Sequence, residues 1–200
     1  MKATAAEPLQ RRYLGKLYPA GYALQEMRGI AEGSATVEGQ TVPLFGLVDG
    51  KPLGASRAWR LADRLRSLLA TPPATLHLLV DCEAHIASLE DERIMLSAYI
   101  ANLAGALHAL AAAGTHIETT VLGRLGGGVY VALAAPSAQL NLVYGSEIQL
   151  LPGRAIESIL GQDMAQKYDI ADYQNAKVAE REIKLGLVED KSYKVYGAQA

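Results

Sequence analysis

Apolar positions recur along this chain with two periods, and the switches between them mark out its elements. Between Arg28 and Val48, β-branched and apolar residues are punctuated by Gly33 and by Glu38-Gly39. Two strand-like runs result, Ser34–Val37 and Thr41–Val48, and the Glu38-Gly39-Gln40 break between them reads as a hairpin turn. Pro43 sits early in the second run, which suits a strand start or an edge, because proline donates no ladder hydrogen bond. From Ser56, an expected N-cap, the period becomes helical. Ala58, Leu61, Ala62, Leu65, Leu68 and Leu69 share one face, with Arg57, Arg60, Asp63, Arg64 and Arg66 largely off it. Thr71-Pro72-Pro73 stops that helix, and the unbroken apolar run Leu76–Val80 predicts a buried parallel strand.

Asp81–Ala87 is the loop that leaves this strand. Ser88-Leu-Glu-Asp91 then has the form of a capping box, with Glu90, Asp91 and Glu92 favouring the positive end of a helix. The helix is expected to run to about Ala113, with Ile94, Tyr99, Ile100, Leu103, Leu107 and Leu110 on its core face and Gly114 as its C′ residue. His116–Leu122 predicts another strand, and Gly126–Ala135 a glycine turn continuing as a short apolar helix. Gln139–Tyr144 and Glu147–Leu151 read as β segments, and residues 155–190 as a more polar helical tail.

Residues 1–27 carry no clean period and contain Pro8, Gly15, Pro19 and Gly21. They read as an N-terminal extension with one short helix, whose Tyr13, Tyr18 and Tyr22 pack on the body or on a partner. Residues 28–200 form the single domain that follows. Helix follows strand repeatedly from 41 to 151, which argues for an α/β fold with ligands at the strand C-termini. No G-x-G-x-x-G follows the first strand, so nothing supports a dinucleotide cofactor.

Composition narrows the classes further. Half of the 200 residues are apolar and a fifth charged, enough for one core without staples. Cys82 is the only cysteine, which excludes an intrachain disulfide. No apolar run reaches the roughly 18 residues of a spanning helix, and Met1–Ala6 lacks a secretory pattern, so the expected location is the cytoplasm, away from membrane. A net charge of −2 with scattered basic residues makes no electrostatic case for nucleic acid. The small patch Arg11, Arg12 and Lys16 reads as a solvated arm.

Two segments carry candidate chemistry. In Gly123-Arg-Leu-Gly126-Gly127-Gly128, glycines between a strand and a helix leave backbone N–H groups open at a helix N-terminus. Dipole and orphan donors there stabilise developing negative charge, as an oxyanion hole for a thioester enolate requires. The alternative is a tight-packing or flexible turn. The second segment, Asp81-Cys-Glu-Ala-His-Ile-Ala87, holds a carboxylate, a thiol and an imidazole at a strand end. It lacks a second His or Cys at metal spacing, so no metal site is expected. Cys82 as nucleophile with His85 as base competes with a buried Cys82 and a loop-orienting His85, the better-supported reading. His77 and His108 read as structural, His116 has no evident partner, and Trp59 reads as core or interface. No G-x-S-x-G or Ser/His/Asp set is present. Oxyanion stabilisation without an evident base or nucleophile points to a site shared with a partner.

Leu76–Asp81, the capped helix to Gly114, Val121-Leu-Gly-Arg-Leu-Gly-Gly-Gly-Val and Gln139–Pro152 resemble the carboxyltransferase branch of the crotonase superfamily. Within it the chain looks most like the gamma subunits of malonate decarboxylase. Ala35-Thr-Val-Glu-Gly-Gln-Thr-Val42 and Gly50-Lys-Pro-Leu-Gly54 resemble the start of that domain, and the similarity spans about residues 30–190. The resemblance implies a crotonase-like ββα superhelix and an obligate partner, the homologous beta subunit. It also implies decarboxylation of a malonyl thioester, carried on the phosphopantetheine-type arm of an acyl carrier subunit, to an acetyl thioester, with no tightly bound cofactor of its own. By position, Gly126, Gly127 and Gly128 match the family's oxyanion-type turn, and Glu83, Ala84 and His85 its substrate-side loop. Family members often have Ser-Gly-Gly and an aromatic residue where this chain has Gly126-Gly-Gly-Val129, and Gln or Gly where Glu83-Ala-His85 stands. Two other readings remain: a subunit of a biotin-dependent acyl-CoA carboxyltransferase, and a non-catalytic scaffold of the same fold.

Overall fold

The computed structural model describes residues 9–86, 88–143, 146–149 and 193–196. The expected helical tail at 155–190 lies outside them, as do Ala87, Tyr144 and Leu151. The described residues form one mixed α/β unit around an eight-stranded sheet.

The described residues open with α1 (Leu9–Leu17), followed by three antiparallel strands, β1 (Tyr22–Met27), β2 (Ile30–Val37) and β3 (Gln40–Leu47). The stretch before residue 28 therefore supplies both the expected short helix and an edge strand that the broken apolar pattern does not reveal. Five of the six β1 residues are exposed, so no alternation marks it. The hairpin between β2 and β3 turns at Glu38 (φ 51°) and Gly39 (φ 77°), the left-handed pair that a tight two-residue turn requires. Pro43 faces Ser34 of β2, and β3 pairs with its parallel neighbour only from Leu44 onward. Proline thus sits where a missing donor costs nothing.

From β3 the sheet turns parallel. Helix α2 (Ala55–Ser67) and a 3-10 turn (Leu68–Ala70) lead to β4 (Thr75–Cys82); α3 (Leu89–Arg93) and α4 (Leu96–Ala112) lead to β5 (His116–Gly126). Then come α5 (Gly127–Ala134), β6 (Gln139–Val143), β7 (Glu147–Gln149) and β8 (Tyr193–Tyr196). Strand order is β1-β2-β3-β4-β5-β6-β8, so β4 and β5 lie at the centre. Continuous burial from Leu76 to Val80 matches a strand covered on both faces.

Two cores result. On one face Leu78, Val80, Val121 and Leu125 meet Leu61 and Leu65 of α2, Leu103, Leu107 and Leu110 of α4, and Val129 and Leu133 of α5. On the other, Leu44, Leu79, Leu122 and Val143 meet Tyr13, Leu14 and Tyr18 of α1 and the loop after it. Each fully buried leucine contributes about 1.5–3 kcal/mol, so the expected helix faces suffice to fix α2 and the later part of α4.

Two expectations about the helices are corrected. Ser56 does not cap α2: Gly54 is the N-cap and offers no side chain, while Ser56 Oγ accepts from Arg60. The Ala55 N–H instead donates to Asp91 Oδ1 at 3.4 Å, a cap delivered from α3. Nor does one helix run from Ser88 to Ala113. Ser88 caps as expected, its hydroxyl accepting from Asp91 N–H at 3.0 Å. The helix then breaks at Ile94-Met95, where Met95 adopts φ 61°. The break frees α3 to present Asp91 to α2 while α4 packs along α2. Ile94, expected in the core, is consequently 51% exposed. Gly114 closes α4 at φ 93°, as a C′ residue should.

Candidate functional site

The glycine-rich segment sits where a strand passes directly into a helix. Strand β5 continues through Gly126, which is extended and acts as the N-cap of α5. Gly127 is the first helical residue at φ 56°, a left-handed value that glycine adopts without a Cβ penalty. The first N–H groups of a helix have no carbonyl one turn back to bond to, so this end of α5 offers donors and the positive end of the helix dipole.

The loop after β4 is held from the opposite side. Leu53 N–H donates to the Ala84 carbonyl at 2.8 Å, and Ile86 N–H donates to the Leu53 carbonyl at 3.0 Å. This is a parallel bridge between Leu53 and His85. In such a bridge the middle residue turns its own N–H away from the partner strand. The His85 N–H is thus turned away from Leu53.

The two candidate segments meet. A Cβ on Gly128 would stand 3.9 Å from His85 Nδ1 and 4.0 Å from Ile100. His85 and Gly128 line one open groove of about 500 Å³ between α4 and α5, with Leu96, Ile100, Ala104 and Val131. His85 Nδ1 is buried without a hydrogen-bond partner among the described residues. His85 and the first turn of α5 therefore border one largely apolar space. The helix end favours a carbonyl or carboxylate oxygen there, and the apolar walls strengthen such a contact.

Other candidate residues have different surroundings. Glu83 pairs with Arg124 at 3.0 Å, both side chains half exposed, and is not among the groove's lining residues. Ala84 serves through its backbone, accepting from Leu53 and, at 3.5 Å, from the Cys82 thiol. Cys82 is fully buried, and burial pushes its thiol up to about 11. Its thiolate is scarce at neutral pH, which leaves the buried structural role. His77 is buried on the α1 side, with Nδ1 3.1 Å from the Tyr18 hydroxyl and Nε2 3.6 Å from Glu118. His116, with no partner evident from sequence, lies 3.5 Å from the same Glu118. His108 is exposed, and Trp59 is 51% exposed on α2, outside the core.

Asp81 links the two candidate segments, a contact that the sequence pattern does not single out. Its Oδ1 accepts the Arg124 N–H at 3.0 Å, joining the ends of β4 and β5 beneath both loops. Its place as the first residue of the candidate segment is the one signal the sequence carries. Among the described residues, no three His, Cys, Asp or Glu side chains gather where a metal ion could be held. No helix among them is long and apolar enough to cross a membrane. A larger groove of about 700 Å³ lies between β1–β2 and α2, where Arg64 is paired with Glu32; no helix N-terminus opens into it.

No protein-family model matches the sequence, and no curated protein matches it. Solved structures do match by shape. The Pseudomonas malonate decarboxylase MdcD-MdcE hetero-dimer aligns over 93% of this chain and 78% of its own, at 18% identity and a TM-score of 0.67. The Pseudomonas malonate decarboxylase hetero-tetramer in complex with coenzyme A aligns over 95% and 78%, at 16% identity and a TM-score of 0.70. Transcarboxylase 12S, with hydrolyzed methylmalonyl-coenzyme A bound, aligns over 92% of this chain at 16% identity and a TM-score of 0.70. The chain spans only 36% of that protein's length. The fold of this chain is the crotonase-like fold of malonate decarboxylase and carboxyltransferase subunits.

Proposed function

We propose that this chain is a gamma-type subunit of a malonate decarboxylase, which helps decarboxylate a malonyl thioester at a site shared with a homologous beta subunit. The observation that carries the reading is the meeting of His85 and Gly128 on one groove. When the bond to the carboxylate breaks, CO₂ leaves and its electron pair passes into the thioester as an enolate. Negative charge collects on the thioester oxygen, and N–H donors that are already oriented stabilise it without reorganising. Protonation of the α-carbon then gives the acetyl thioester.

In this reading His85, with Gly127 and Gly128 at the helix end and Gly126 as its cap, surrounds the thioester oxygen. Glu83 and Ala84 shape the loop that carries His85. The phosphopantetheine-type arm of an acyl carrier subunit brings the substrate, and this chain needs no tightly bound cofactor. Exposed Met95, between the groove residues Glu92 and Leu96 in sequence, and exposed Val131 on the groove wall favour coverage by a partner. The malonate decarboxylase chains of similar fold come from a hetero-dimer and a hetero-tetramer.

A second reading, part of a biotin-dependent acyl-CoA carboxyltransferase, draws support from the similarity to transcarboxylase 12S. A scaffold without catalytic duty is the third. Purifying the chain with its companions from its native cells and assaying malonyl-thioester decarboxylation tests them together. A homologous companion and an acetyl-thioester product are expected. Avidin-sensitive turnover would favour the carboxyltransferase instead, and a homo-oligomer lacking either activity would remove both catalytic readings.

A further inference from the structure

The ends of β4 and β5 do not run in simple register. Val80 pairs with Val121 but Cys82 pairs with Leu125, so Asp81 alone stands opposite Leu122, Gly123 and Arg124. An irregularity of this kind bends the longer strand and re-aims the residues beyond it. The Asp81 side chain fills the gap. Its Oδ1 accepts the Arg124 N–H at 3.0 Å, and its carboxylate takes the space that a Cβ on Gly123 would need. The Asp81 carbonyl also accepts the Gly50 N–H at 3.0 Å, tying in the loop after β3. His85 follows Asp81 by four residues, and Gly128 follows Gly123 by five.

We propose that Asp81 is a positioning residue: through its contact with Gly123 and Arg124 it sets the separation between the His85 loop and the Gly127-Gly128 turn. The proposal rests on the reading of these two loops as one site. A carboxylate that accepts a backbone N–H forms one of the stronger hydrogen bonds available, and Asp81 is only partly exposed. The neighbouring Glu83–Arg124 pair does not replace it, because both of its side chains are half in water, where such pairs are weak. Glycine at 123 has a physical reason here, since any side chain would displace the carboxylate. Oxyanion donors tolerate little misplacement, so a residue that touches no substrate still governs rate by holding both loops in place.

The test uses the full chain in its native complex with Asp81→Ala, Asp81→Asn and Gly123→Ala, read by hydrogen–deuterium exchange and by steady-state kinetics. Asp81→Ala and Gly123→Ala are each expected to speed exchange across residues 123–128 roughly tenfold, with the 103–110 stretch of α4 unchanged. Asp81→Asn, whose amide oxygen still accepts the Arg124 N–H, is expected to restore most of that protection. Asp81→Ala combined with Gly123→Ala should be no worse than Asp81→Ala alone, because removing the carboxylate frees the space for the new Cβ. In the active complex, kcat falls with the exchange change while KM holds. Unchanged exchange at 123–128 in Asp81→Ala, or acceleration shared equally by α4, would overturn the proposal. The expected exchange pattern in a complex without malonyl-thioester decarboxylation would uphold the clamp and remove the functional reading.

Discussion

His85 Nδ1 lies 3.9 Å from the position a Cβ on Gly128 would take, so the imidazole and the first turn of α5 border the same space. These residues are 43 positions apart in sequence, with α3, α4 and β5 between them. The central pairing of β4 with β5 and the packing of α4 on α5 bring them together.

Gly128→Ala is therefore the sharpest probe of the groove. Its added methyl meets His85 and Ile100 at ordinary contact distance, so the fold should survive with an unchanged melting temperature. It narrows access to the helix end, and turnover of the complex is expected to fall tenfold or more, about 1.4 kcal/mol in the barrier. Gly127→Ala differs, because φ 56° strains any side chain by about 1–2 kcal/mol and should lower the melting temperature as well. Full-rate decarboxylation by Gly128→Ala would remove the turn from the reaction.

Glu83→Gln is expected to change little. The charge it removes is paired with Arg124 at a half-exposed site, where such pairs contribute at most about 1 kcal/mol. Chemical denaturation should give a midpoint near that of the unaltered chain, and KM for the thioester should stay within about threefold. A large rise in KM would place Glu83 directly on the substrate.

Burial raises the Cys82 thiol to about 11, which has two consequences. Iodoacetamide should leave the native chain unlabelled at neutral pH and label it once it is unfolded in urea. The unfolded thiol ionises first, at about pH 8.5, so this group's contribution is intact below that pH and is lost as pH rises toward 11. Cys82→Ala should remove this part of the alkaline slope in urea melts and leave turnover intact. Loss of turnover with the fold preserved would revive the thiol as nucleophile.

His77 shows the opposite sign. Burial lowers its pKa and outweighs the attraction of Glu118, while His116 adds to the lowering. The unfolded chain takes up the proton first, near pH 6.5, so stability is full above that value and falls as pH drops through the folded-state value. Urea melts between pH 8 and pH 5 should show this loss, and His77→Gln should reduce the slope. Tyr18→Phe removes the hydroxyl 3.1 Å from Nδ1 and should cost about 1 kcal/mol at pH 8. An unchanged slope in His77→Gln would assign the acid sensitivity elsewhere.

Periodicity is a sound guide wherever one face of an element meets a single core. Leu61 and Leu65 of α2, Leu103, Leu107 and Leu110 of α4, and the run Leu76–Val80 are all buried as their spacing implies. It fails where polar contacts from distant segments decide the backbone. The cap on α2 comes from Asp91, 36 residues from Ala55, and the break at Met95 lets α3 supply it. Strand β1 leaves no mark in the pattern because an exposed edge strand needs no apolar alternation, only the hydrogen bonds that β2 offers. The glycine turn and the Asp81–Ala87 loop are both recognisable as strand-end segments, yet their meeting is not.

The amino-acid order by itself determined the α/β class, the hairpin turn at Glu38-Gly39, the buried strand Leu76–Val80 and the glycine start of α5. Each follows from local sterics or from a repeat of apolar residues that burial enforces. Tertiary structure alone decided that Glu83 turns to Arg124 and that Asp81 joins β4 to β5. It also brought His85 to Gly128. Those outcomes depend on strand order and on a register shift between two parallel strands, which no local pattern encodes.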